Sequence, residues 1–247
     1  VYNSAFMHMI MNEENRKYRD LITNTLEFEP EILKRYVNFM SNPDEETAIK
    51  QFGTEDKYFG TFILMITLPG LPMIAHGQIE GYTEKYGMEY RRAYYNESPN
   101  QWLIDRHRRE IFPVLKKRYL FSEVYNFWFF DFHDNAGYIN ENVMAYSNGY
   151  GHERALIFYN NKYDSAFGKI YNSAPKLVQG ENDKYLKHIS IGEALSIKND
   201  GKYFYIFREA ISGLEFIKAG NEFYNDGFYI ELQGFKYKVF MDFREVY

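Results

Sequence analysis

The chain has 247 residues, a formal net charge of −5 and no cysteine, with 45% hydrophobic and 26% charged residues. So large an apolar fraction excludes disorder, and the lack of cysteine excludes disulfide frameworks and thiolate metal sites. The acidic balance argues against nucleic acid as a partner, and the one long apolar run, residues 59–75, is broken by Pro69-Gly70-Leu71-Pro72, short of the roughly 20 residues a membrane helix needs.

The chain starts at Val1 inside an apolar segment, without an initiator methionine or a signal peptide. The expectation is a piece of a longer protein. Ser4 to Leu26 reads as helix, with Asn12-Glu13-Glu14-Asn15-Arg16-Lys17 facing water. Pro30 suits the first turn of a short helix, Glu31 to Lys34. Tyr36 to Met40 reads as a short strand that ends in the turn signal Ser41-Asn42-Pro43-Asp44. Thr54 is expected to cap the next helix, with Glu55 and Asp56 in its first turn. Pro69-Gly70 stops that helix, and Leu71 to Ala75 forms a second short apolar strand. His76 to Tyr95 is a polar loop of about twenty residues, far above the usual four to six, and loops of that length are usually functional or disordered. Ser98-Pro99 is expected to start the last helix, which runs to about Tyr119.

The composition shifts near residue 122. Beyond it come strand candidates at Tyr125–Asp131, Asn142–Ser147, Arg154–Tyr159, Gly168–Tyr171, Lys202–Phe207, Gly227–Leu232 and Tyr237–Phe243. Hairpin signals fall at Asn148-Gly149, Asn199-Asp200-Gly201, Asn225-Asp226-Gly227 and Gln233-Gly234. The expected fold class is α/β plus all-β. Residues 1–122 alternate helices with short buried strands, which implies a parallel sheet. Residues 123–247 form an antiparallel sandwich or barrel. Two clear parallel strands cannot complete a barrel, another sign of a partial chain.

Two strand ends carry polar residues. Asn42-Pro43-Asp44-Glu45-Glu46 and His76-Gly77-Gln78-Ile79-Glu80-Gly81 both lie past the C-terminal ends of buried strands, where parallel α/β folds bind ligands. Asp44 could act as a catalytic or binding carboxylate, or merely cap the following helix. His76 and Glu80 share no helix face, so a metal site is not expected. His107, among Arg106, Arg108 and Arg109, is expected on a solvated helix face with a partner carboxylate. Tyr82, Tyr86, Tyr90, Tyr94 and Tyr95 lie in the long loop, and tyrosine rings can stack on sugar faces.

The run Phe39-Met40-Ser41-Asn42-Pro43-Asp44, then Thr67-Leu68-Pro69-Gly70-Leu71-Pro72-Met73-Ile74, then His76-Gly77-Gln78 resembles the last third of an α-amylase-type catalytic barrel, glycoside hydrolase family 13. The resemblance implies the C-terminal part of a (β/α)₈ barrel over 1–122 and a β-sandwich over 123–247. It implies retaining chemistry on an α-glucan or oligosaccharide, with no cofactor. Asp44 matches the family's transition-state-stabilising aspartate and Asn42 the first residue of the same motif. Gly77 and Gln78 match the loop after the eighth strand, and Tyr82 and Tyr86 would line the cleft. The nucleophile and acid/base carboxylates would lie upstream of Val1, in the part of the barrel that this chain would need as a partner. Pro43 departs from the family, which usually has a substrate-binding histidine there. Two alternatives stay open: a non-catalytic carbohydrate-binding or structural member of the same fold, and a self-sufficient α+β interaction module.

Overall fold

The computed structural model describes residues 1–247. Two helices open the chain, α1 (Ser4–Met11) and α2 (Asn15–Phe28). The break between them corrects the expectation of one continuous helix. Glu13 takes a left-handed φ of 56°, and its carboxylate accepts from Lys57 (2.8 Å) and Lys162 (2.9 Å), so the polar stretch is partly tied down. A 3₁₀ turn at Pro30–Arg35 leads to strand β1 (Val37–Phe39). Helix α3 (Ala48–Phe52), not expected, precedes α4 (Asp56–Thr67) and strand β2 (Leu71–Met73). Strands β1 and β2 pair in parallel, and Tyr2 bridges Val37 on the other side, also in parallel.

Helix α4 is buried from Tyr58 through Thr67, as befits a helix apolar on every side. It starts after Glu55 rather than at a Thr54 cap. At Gly60 a side chain would overlap the Tyr159 ring, so glycine there lets the second half of the chain pack directly on α4.

The last helix of the first half begins at α5 (Gln101–Arg106), capped by Asn100, whose Oδ1 accepts from Leu103 N (3.2 Å). Asn100 displaces Ser98 from the expected role. The helix continues through a π turn at His107–Ile111 into α6 (Phe112–Leu115). Pro113 has no N–H to return to the preceding turn, and a widened turn accommodates that loss.

All seven expected strands of residues 123–247 are present: β3 (Trp128–Phe130), β5 (Val143–Tyr150), β6 (Glu153–Asn160), β7 (Ala166–Ile170), β10 (Phe204–Glu209), β12 (Phe228–Leu232) and β13 (Tyr237–Val246). Unexpected are β4 (His133–Asp134), the hairpin β8 (Lys176–Gln179) with β9 (Lys184–Lys187), β11 (Glu215–Ala219), and short helices α7 (Ile191–Ala194) and α8 (Gly220–Asn225). One antiparallel sheet runs β11-β10-β13-β6-β5-β3, and another runs β12-β7-β4.

The six-stranded sheet is buried on both faces near its middle. Met144, Tyr146, Ile157 and Tyr159 join a core with α1, α2 and α4. Val143, Ala145, Leu156 and Phe158 join a second core with β7, β12 and α8. Double burial explains why β5 and β6 read as continuous apolar runs instead of alternating ones. The chain is mixed α/β with mostly antiparallel sheet, and the first core crosses residue 122 without interruption.

Three carboxylates at this junction each sit between two cations. Burial by itself raises the pKa of Asp56, but Lys236 and Arg106 outweigh it and the net shift is downward. The same holds for Glu13 with Lys57 and Lys162, and for Asp242 with Lys117 and Arg208. A depressed folded-state pKa adds stability that is present above the unfolded value, about pH 4, and is lost as pH falls through the folded value. Thermal melts are therefore expected to be insensitive to these groups from neutral pH to about 5 and to move down steeply below about 4. A melting temperature that rose on acidification would refute this.

Candidate functional site

The turn after β1 is built by Asn42. Its Oδ1 accepts from Asp44 N (2.9 Å) and Glu45 N (3.0 Å), a side chain standing in for a turn carbonyl. Asp44 is exposed. Its main-chain carbonyl accepts from Lys85 Nζ at 2.8 Å, which draws the long loop against the turn. Gly87 lies there too, with the Pro43 carbonyl 3.7 Å from where a β-carbon would stand. The Asp44 carboxylate itself takes part in none of the protein's hydrogen bonds or ion pairs, whereas neighbouring Glu45 lies 3.5 Å from His8 Nε2.

Residues 76–99 carry no helix or strand, yet two carboxylates hold the loop. Glu97 accepts from Thr83 N, Thr83 Oγ1 and Glu84 N at 2.8–2.9 Å. Glu84 in turn accepts from Tyr94 N (2.9 Å) and Tyr95 N (3.1 Å). Burial acts to raise the Glu97 pKa, but the amides of Thr83 and Glu84 overcome it and bring the pKa down. These pins were not evident from spacing, since Glu84 and Glu97 fall in a stretch without periodicity.

The loop's aromatics form a surface cluster. Tyr86 lies 4.8 Å from the His76 ring and 4.6 Å from the Tyr90 ring, centroid to centroid. Gly77, with φ 72°, lets its carbonyl accept from both Gly81 N and Tyr82 N, and the Tyr82 ring packs where a β-carbon would project. Asp44, Asn42, Gly77, Tyr82 and Tyr86 thus gather at the C-terminal ends of β1 and β2.

Gln78 differs, for it is buried. Its Oε1 accepts from Ala75 N (3.1 Å) and its Nε2 meets Met40 Sδ at 3.5 Å. Its carbonyl lies 3.1 Å from the Tyr58 hydroxyl, which also meets His107 Nε2 at 2.9 Å. His107 is fully buried, against the expectation of a solvated face. Burial lowers its pKa and favours the neutral ring, with Nδ1 donating to Leu103 O at 2.8 Å. The four-residue run splits because Arg108 and Arg109 point outward while Arg106 turns in to Asp56 and Glu110. The Tyr58–His107 pair thus backs the loop from beneath.

No group of histidine, aspartate and glutamate side chains is placed to hold a metal ion. No helix is long and apolar enough to cross a membrane.

No family model matches the sequence, and no curated protein matches it. Solved structures do. A maltogenic α-amylase of Thermotoga neapolitana aligns over 95% of this chain and 47% of its own, with TM-score 0.55 and 13% identity. An α-amylase of H. orenii aligns over 98% of this chain and 48% of its own, with TM-score 0.52 and 13% identity. The Geobacillus thermoleovorans α-amylase, solved with acarbose, aligns over 85% and 39%, with TM-score 0.51 and 15% identity. The fold is that of an α-amylase segment. This amylase-like chain spans less than half the length of each of those three enzymes.

Proposed function

We propose that the chain is the C-terminal part of an α-amylase-type glycosidase acting on α-glucans by a retaining mechanism. In this reading residues 1–122 are the last part of the catalytic barrel and residues 123–247 the β-sandwich behind it. Asp44 stabilises positive charge developing at the sugar carbon. Asn42 shapes the turn that presents it. Gly77, Tyr82 and Tyr86 border the cleft, and Gln78 acts from below by fixing the backbone of its loop. The upstream part of the same barrel supplies the nucleophile and the acid/base carboxylate, which retaining enzymes hold about 5–5.5 Å apart.

The observation that carries the reading is the Asp44 carboxylate. It is exposed and unpaired at the C-terminal end of a parallel strand, beside an aromatic loop pinned in place, in a chain with an amylase-like fold. The test is to incubate the longer protein carrying this chain with maltooligosaccharides and follow the first-formed product by proton NMR. Release of the α-anomer is expected. Release of the β-anomer would overturn the retaining mechanism, and absence of turnover would favour the second reading.

That second reading, a non-catalytic carbohydrate-binding protein of the same fold, is favoured by Pro43. Proline beside Asp44 has no N–H and no side-chain donor for a sugar hydroxyl.

A further inference from the structure

A groove of about 610 Å³ is lined by none of the residues gathered around Asp44. It runs between the end of α2, the residues leading into β3, and the β8–β9 hairpin. Its two most exposed aromatic walls are Tyr125, 85% exposed, and Tyr185, 51% exposed. Its floor includes Trp128 and Lys176.

The floor is rigid. Lys176 is 3% exposed, and its ammonium donates to the carbonyls of Val124 (3.1 Å), Tyr125 (2.8 Å) and Phe127 (2.9 Å). It also stands 3.7 Å from the centre of the Trp128 ring. All three ammonium protons and one indole face are therefore committed within the protein. The lysine fixes the backbone that carries Tyr125 and holds Trp128 still. The indole N–H donates to none of the protein's acceptors.

The groove has no excess of positive charge. Glu29, Glu31 and Glu193 line it with Lys176, Lys184 and Lys187, burial brings the Lys176 pKa down to about 7, and Lys184 is spent on Glu29 at 2.8 Å. A polyanion finds no net attraction there, and an extended apolar ligand finds a wall interrupted by ions. What fits is an uncharged molecule with flat apolar faces and many hydroxyls, able to stack on tyrosine and to exchange hydrogen bonds with Gln179, Lys187 and the indole N–H.

We infer that this groove is an oligosaccharide-binding site, separate from the Asp44 region and non-catalytic. The site stands independently of the proposed glycosidase activity, because none of its residues belongs to the candidate catalytic set.

The two tryptophans, Trp102 and Trp128, make the test direct. In a Trp102→Phe variant of the full chain, Trp128 is the sole indole reporter. Titration with maltoheptaose, cellohexaose and xylohexaose is expected to shift or quench its emission saturably with at least one of the three. Adding Tyr125→Ala or Tyr185→Ala is expected to weaken that binding by about tenfold or more, as loss of a stacking ring should. An Asp44→Asn change in the same background is expected to leave it unmoved. No saturable change with any of the three sugars, in a chain whose circular dichroism is native, would overturn the inference. A signal lost in Asp44→Asn but retained in both tyrosine variants would also overturn it, since the reporter would then be reading the other site. Failure of the glycosidase reading would appear instead as absent turnover with the Trp128 signal intact.

Discussion

Replacing Arg19 by alanine is expected to destabilise the chain by about 3 kcal/mol, a large loss for a single polar residue at the junction of its two halves. Arg19 is 3% exposed on α2, yet every group it binds lies more than a hundred residues away. Its guanidinium donates to the Asp131 carboxylate, to Glu141 Oε2 (2.9 Å), and to the carbonyls of Phe130 (3.4 Å) and Val143 (3.1 Å). It also lies 5.1 Å from the Phe129 ring. The two carboxylates are each more than a third exposed, so water can replace much of their pairing and the ionic part is discounted. The cost comes chiefly from two sheet carbonyls that each lose a buried donor and from the space the side chain vacates. In a chain of this size the melting temperature is expected to fall by about 6–12 °C. Arg19→Lys keeps the charge but has three donors on a single nitrogen, which cannot serve four separated acceptors, so it recovers only part of the loss. Chemical denaturation of the three proteins checks this. A loss below about 1 kcal/mol in the alanine variant would show that water substitutes fully for the guanidinium.

Arg19 also shows why part of the architecture was legible in sequence and part was not. Strands announced by local pattern are present, such as Phe228 to Leu232 with its alternating burial. The turn dipeptides were less faithful. Asn148-Gly149 lies inside β5, because Asn148 Nδ2 reaches across to Glu123 O at 2.8 Å, and the chain reverses at Gly151, φ 57°, instead. Asn225-Asp226-Gly227 joins a helix to a strand, and Gln233-Gly234 joins strands of different sheets. Such residues mark where the chain bends but carry no information on what it then pairs with.

Buried polar side chains were the least legible. Arg19, His107 and Lys176 each look solvent-facing by residue type, and each is buried because its partners come from elsewhere in the chain. At the candidate site the order of strand, polar turn and long loop was visible in advance. The pins at Glu84 and Glu97, and the Tyr58–His107 support under Gln78, depend on contacts that spacing does not encode.

The second large effect concerns Asp44. Asparagine has nearly the same shape and serves turns equally well, so Asp44→Asn preserves the Asn42-built turn and the Lys85 contact, which uses a main-chain carbonyl. What it removes is one negative charge from an exposed carboxylate without an internal partner. If that charge stabilises an oxocarbenium-like transition state, its loss lowers kcat on the order of 10³-fold, with a smaller change in KM. A carboxylate that only terminated β1 or preceded α3 would contribute nothing to turnover.

The most direct measurement is therefore kcat on maltooligosaccharides for the barrel-containing protein that the proposed function implies, wild type against Asp44→Asn, with melting temperatures recorded alongside. A fall on the order of 10³-fold at an unchanged melting temperature is expected if Asp44 has the proposed role. Equal turnover in the two proteins would contradict it.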